Sequence, residues 1–257
     1  MGCLLKRHPV IHIKKKVVFD MDKKPLKVKS SLIIIIVSIA ILILGIVLLV
    51  NDSKSYHNEK CKEFANENLT FSKGQIVFLG DSITDLCELD VYYEDLELKL
   101  YNRGISGDTT VDLKNRLDVS AFEIEPSIIV LMIGTNDINW GRSTNAIMET
   151  YEAIVSEIYN RLPNVKLYVM SVIPQNKDLE SYTPFNIDTH LPRIIELNQE
   201  ITKLSTKYNF TYVDLFPSLL DGEGYLDKKY SDDGLHLNHN GFIVWSNILK
   251  PYLNTND

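Results

Sequence analysis

Five short, mostly apolar stretches recur along this 257-residue chain, the first three ending in glycine. They are QIVFLG (75–80), LYNRG (100–104), SIIVLMIG (127–134), VKLYVMSVIP (165–174) and FTYVDLF (210–216). A strand with one wet face alternates apolar and polar residues. Continuous runs rich in β-branched residues are the pattern of strands covered on both faces. The segments between them change period. STNAIMETYEAIVSEIYNRL places Ile147, Tyr151, Ile154, Ile158 and Leu162 at helical spacing, with Ser143 or Thr144 as the cap. PRIIELNQEITKLSTKYN repeats this with Ile194, Leu197, Ile201 and Leu204. Strand–helix alternation predicts an α/β domain over 75–257, a five-stranded, mostly parallel sheet with helices on both faces.

One apolar stretch is of another kind. Residues 31–50, SLIIIIVSIAILILGIVLLV, carry no charge and as a helix would span roughly 30 Å, the thickness of a bilayer core. A buried core helix would be shorter and broken by polar residues. A cleavable signal peptide is the alternative, although its apolar region would be unusually long. The only small-x-small site nearby, Ser53-Lys54-Ser55, matches a cleavage site poorly. The expectation is one transmembrane helix retained as an anchor.

Charge gives that helix a direction. Residues 1–50 hold nine basic and two acidic side chains, a net +7 in a chain of −7, so residues 51–257 carry −14. Basic flanks stay in the cytoplasm. The expected organisation is a basic cytoplasmic tail (1–30), a single-pass cell-membrane anchor (31–50), a stalk or lead-in segment (51–74) and the α/β domain outside (75–257). A domain so acidic excludes nucleic acid as a partner. MGCLLK is no lipidation signal, because Lys6 stands where Ser or Thr is required. Cys61 and Cys87 both fall outside and could pair; Cys3 remains inside.

Open parallel sheets bind ligands beyond the carboxyl ends of their strands. Here those ends read Gly80-Asp81-Ser82, NRGISGDTT (102–110) and Gly134-Thr135-Asn136-Asp137. A serine hydroxyl becomes a nucleophile only with a base beside it and a group orienting that base. Of His57, His190, His236 and His239, only His236 sits in a phrase with obvious geometry, DDGLHLNHNG (232–241), three residues after Asp233. Acyl transfer also needs donors aimed at the developing oxyanion. Gly107 allows close backbone approach, and Asn136 offers an amide.

These four blocks, GDSIT, NRGISGDTT, GTND and DGLH, stand in the order of the SGNH-hydrolase superfamily, the GDSL-type lipases and acylhydrolases, which residues 75–250 resemble. The second block is especially similar to the branch holding platelet-activating-factor acetylhydrolase catalytic subunits and bacterial acetylesterases. The resemblance implies a flavodoxin-like three-layer α/β/α fold with neither metal nor organic cofactor. It implies that Ser82 attacks an ester carbonyl, that His236 is base and then acid, and that Asp233 orients His236. It also implies an oxyanion hole of the Ser82 and Gly107 N–H groups and the Asn136 side chain. Asp81 and Asp137 read as structural hydrogen-bonders, and Asp232 competes with Asp233. The expected function is a membrane-anchored esterase for short-chain acyl or acetyl esters, its substrate a small molecule, polysaccharide or lipid. QNKDLESYTPFNIDTHLP (175–192) is the longest loop beside the crevice and the expected determinant of specificity. Three rivals remain: an acyltransferase on the same triad, a non-catalytic membrane-tethered binding module, and a metal phosphoesterase using Asp233, His236 and His239.

Overall fold

In the computed structural model, which describes residues 30–179 and 187–254, the five stretches become five strands. They are β1 (Ile76–Gly80), β2 (Leu100–Gly104), β3 (Ile128–Met132), β4 (Lys166–Met170) and β5 (Thr211–Val213). Their order is β2-β1-β3-β4-β5, and every neighbouring pair is parallel. This is the flavodoxin-like order, whose ligand crevice lies where the winding direction reverses, beside β1.

The continuous apolar runs are explained by two cores, one on each face. Val77, Leu79, Ile129, Leu131 and Val169 pack into one with α6 (Thr144–Arg161) and α7 (Ile187–Tyr208). Their neighbours Ile76, Phe78, Ile128, Val130 and Met170 pack into the other, against Phe242, Trp245 and Leu249 of α8 (His239–Leu253). Successive strand side chains point to opposite faces, so the central strands β1 and β3, covered by helices on both sides, are apolar throughout.

The helices follow the apolar spacing. Ser143 caps α6 by accepting from the Ala146 N–H at 3.3 Å. Ile147, Tyr151, Ile154 and Ile158 are fully buried. α7 departs from expectation at its start, beginning at Ile187, five residues ahead of Pro192. Pro192 lies one turn inside the helix, where it removes a ladder bond and its ring crowds the carbonyl four residues back, a cost the rest of the helix bears.

The chain divides into two units, residues 1–49 and 50–257. The first contains the beginning of α1 (Ser30–Asn68). By length and composition this helix meets the requirement for crossing a membrane, which a signal sequence also meets, and its apolar window is not buried within the protein. The basic tail expected to orient it lies outside the described residues. In the second unit, the expected stalk or lead-in segment is helical as far as Asn68. Phe64 is buried, and Glu67 and Asn68 both bond the guanidinium of Arg103 in β2.

Candidate active site

β1 ends at Gly80, and the next two residues begin a short helix, α2 (Ser82–Asp85). Asp81 caps it, its Oδ1 accepting from the Ile83 N–H at 3.0 Å. Asp81 is almost wholly buried, and its Oδ2 has no hydrogen-bond partner. Burial pushes its carboxyl up to about 7, and the charges of Asp108 and Asp137 push the same way against the Ile83 bond. The turn leaves Ser82 half-buried at the strand tip.

The loop before α8 carries the candidate base, His236. Asp233 folds it locally: Oδ1 accepts from the Leu235 N–H at 2.9 Å and the His236 N–H at 2.8 Å. Such side chain–backbone bonds are how Asp shapes a turn. Its other oxygen lies 2.7 Å from His236 Nδ1, and His236 Nε2 lies 2.9 Å from Ser82 Oγ. Burial alone would raise the Asp233 carboxyl, but the His236 bond and the two backbone donors outweigh it, and its net shift is downward. An ionised carboxylate only accepts, so Nδ1 carries the imidazole proton and Nε2 is left to accept from the serine hydroxyl. Asp232, the competitor, is exposed and accepts instead from Asn238 Nδ2 at 3.1 Å.

The oxyanion candidates converge from two further strand ends. Gly107 sits after β2 at φ +88°, a left-handed backbone that glycine takes without steric penalty. Its N–H donates to no acceptor among the described residues. Ser82 is the first residue of α2, where an N–H has no place in the helical ladder. Asn136, in α5 (Thr135–Asn139) after β3, gives one amide hydrogen to the Asp108 carbonyl at 2.9 Å and keeps another. Asp137 is buried, bonded to the Thr110 N–H and hydroxyl at 2.8 Å each and paired with Arg142.

Several residues around this site escaped sequence reasoning. Asp108 is buried between two cations or potential cations: Arg116 Nε at 2.6 Å and His57 Nδ1 at 2.8 Å. Arg116 also donates to the carbonyls of Gly80 and Arg103, stitching the tips of β1 and β2. Asp85 holds Ser106 through its N–H and hydroxyl, at 3.1 and 2.7 Å. The one visible signal was that Asp108 belongs to NRGISGDTT; nothing in the sequence ties it to His57, 51 residues away.

Other expected participants lie elsewhere. His239 points to the Tyr92 hydroxyl at 3.0 Å, and among the described residues no three His, Cys, Asp or Glu side chains are grouped to hold a metal ion. Buried His190 bonds Gln175 Oε1 at 3.2 Å. Cys61 and Cys87 are free thiols. Residues 180–186 of the expected specificity loop lie outside the described residues.

Comparison with known proteins adds a family to this geometry. Residues 78–242 match the model of the GDSL-like Lipase/Acylhydrolase family. Platelet-activating factor acetylhydrolase IB subunit alpha1 of Homo sapiens is 26% identical over 187 residues, covering 70% of this chain and 75% of the relative. Subunit alpha2 of Mus musculus is 27% identical over 179 residues, with 68% and 73% covered. A solved structure from Streptococcus pneumonia, whose own description relates it to platelet activating factor, superposes with a TM-score of 0.76. It is 28% identical, and the match covers 82% of this chain and 98% of that one. A GDSL-like lipase from Bacteroides thetaiotaomicron shares the fold at a TM-score of 0.68 and 20% identity, with 77% and 98% covered.

Proposed function

Because this chain belongs to the GDSL-like lipase/acylhydrolase family, we propose that it is a serine esterase in which Ser82, His236 and Asp233 form the catalytic triad. The observation that carries the reading is the continuous hydrogen-bonded line from Asp233 through His236 to Ser82, at 2.7 and 2.9 Å. As Ser82 Oγ bonds to the ester carbonyl carbon, its proton passes to His236 Nε2, and Asp233 stabilises the imidazolium. The carbonyl electrons move onto oxygen, where the Ser82 and Gly107 N–H groups and the Asn136 amide receive them. His236 then protonates the departing alcohol as the C–O bond breaks. A water activated by the same imidazole releases the acid from the acyl-enzyme.

The relatives named acetylhydrolases support short acyl groups, acetyl above all, on a small-molecule, polysaccharide or lipid ester. The uncharged 31–50 helix and the lysines before it support a cell-membrane anchor with the domain outside.

The test uses the full-length protein in detergent with a chromogenic acetyl ester. Ser82→Ala and His236→Ala each abolish turnover, and the double variant is no worse than either, since the residues act as a unit. Asp233→Ala costs less, and Asp232→Ala little. Asn136→Ala lowers kcat by roughly 10²-fold with KM nearly unchanged. An organophosphorus reagent labels Ser82. Substantial activity in Ser82→Ala would end the esterase reading.

A further inference from the structure

The mechanism leaves unused a cluster on the far side of the Gly107 turn. His57, in the outer turns of α1, places Nδ1 2.8 Å from Asp108 Oδ1. Asp108 is buried, and it is the residue immediately after Gly107. Its other carboxylate oxygen belongs to Arg116, and its carbonyl accepts from Asn136. One residue thus joins α1 to two oxyanion donors: Gly107 through the chain and Asn136 through a hydrogen bond.

At Gly107 itself the turn has an unpacked side. Apart from its chain neighbours, nothing comes within 4 Å of where a Cβ on Gly107 would stand. That open side faces a cavity of about 210 Å³, walled by Ser53, Lys54, His57 and Asn58 of α1 and by Ser106 and Asp112. A backbone N–H aimed at an oxyanion must hold its place to a fraction of an ångström. Buried Ile105 anchors the chain ahead of Gly107, and polar bonds fix the rest: the Asp108 N–H on the Ile105 carbonyl, Asp85 on Ser106, Arg116 and His57 on Asp108, and Asn136 on the Asp108 carbonyl. Arg116 grips only Oδ2, so the carboxylate can still swing about that contact. His57 on Oδ1 removes the swing.

The His57 tautomer is itself determined locally. The carboxylate accepts a hydrogen bond from Nδ1–H, leaving Nε2 as an acceptor 3.6 Å from Cys61 Sγ, one helical turn on. Burial raises the Cys61 thiol, which keeps it protonated and able to donate.

We propose that His57 is a positioning residue: acting through Asp108, it holds the Gly107 N–H and the Asn136 amide where the oxyanion forms, which makes the outer turns of α1 part of the active-site scaffold. The inference rests on the esterase reading for its kinetic consequence. Losing an oxyanion donor outright lowers kcat by roughly 10²–10³. With Arg116 still in place, loosening the turn lowers it by less, roughly tenfold.

The test compares His57→Ala, His57→Asn and His57→Gln in the full-length protein. The readouts are steady-state kinetics on a chromogenic acetyl ester, thermal unfolding, and amide hydrogen exchange over residues 105–110. The alanine variant should lose roughly tenfold in kcat with KM within about twofold, since the oxyanion contact forms in the transition state. Exchange at 105–110 should quicken. Asparagine carries an N–H donor the same number of bonds from Cα as Nδ1 and should recover most of the loss; glutamine, one bond longer, should not. A kcat within about twofold of the unsubstituted protein would overturn the proposal, as would a change confined to KM or to unfolding temperature, or equal rescue by both amides. If the unsubstituted protein showed no turnover, the esterase reading would fall. Exchange alone would then decide the tether, and unchanged exchange in the alanine variant would overturn it.

Discussion

Asp81 shows how one residue's burial sets a measurable property of the protein. In the unfolded chain its carboxyl titrates near 3.9, and in the fold burial pushes it up to about 7. Between those values the folded chain holds a proton that the unfolded chain has released. Stability therefore falls as pH rises from about 4 to 7, and the deficit is complete above 7, on the order of 4 kcal/mol. Asp81→Asn keeps an oxygen to cap α2 and removes the titration. Its unfolding temperature should gain on the unsubstituted protein as pH goes from 5 to 8. A constant gap between the two across that range would show that Asp81 does not titrate there. The sequence places Asp81 correctly as a turn-former beside Ser82. What shifts its proton is the layer of side chains around it, together with Asp108 and Asp137, which sequence distance conceals.

At the scale of elements, the site depends on how closely α2 rides over β2. A Cβ on Gly104 would stand 2.2 Å from the Asp85 N and 2.7 Å from its Cα, both backbone atoms of α2. Neither can move without carrying Ser82, three residues earlier. Gly104→Ala should therefore cost more than the 1–3 kcal/mol usual for overpacking and lower kcat as well, measured by thermal unfolding and turnover. Gly107→Ala meets no atom beyond its chain neighbours and bears only the left-handed strain, about 1–2 kcal/mol. Equal unfolding temperatures for the two variants would contradict this account. The second half of α1 has a comparable duty toward β2. Arg103 is buried, its guanidinium 4.3 Å over the Phe64 ring and paired with Glu67, so those turns of helix cover a charge that would otherwise lie bare. The spacing in 51–74 revealed none of this, because the segment's apolar residues are few and its partner strand is distant in sequence.

For the whole molecule, the proposed topology puts residues 1–30 inside the cell and 51–257 outside, on the strength of the positive-inside asymmetry. Protease added to spheroplasts should digest the C-terminal domain and spare only a short N-terminal remnant; full protection of that domain would refute the arrangement. The sequence by itself determined the layers of this protein and the family to which it belongs. Runs of apolar residues are satisfied between two helical layers, and four short blocks, three at strand ends and one before the last helix, supply the proposed nucleophile, base and oxyanion donors. Tertiary structure alone put Asp233, and not Asp232, against the His236 ring. It brought Asp108, Arg116 and His57 together, and it drew the outer turns of α1 onto the sheet. The physical reason is range. Periodicity and turn chemistry act within a few residues and leave a trace in the string. Buried charge pairs act through space, and a carboxylate finds its partner only once folding has closed the distance.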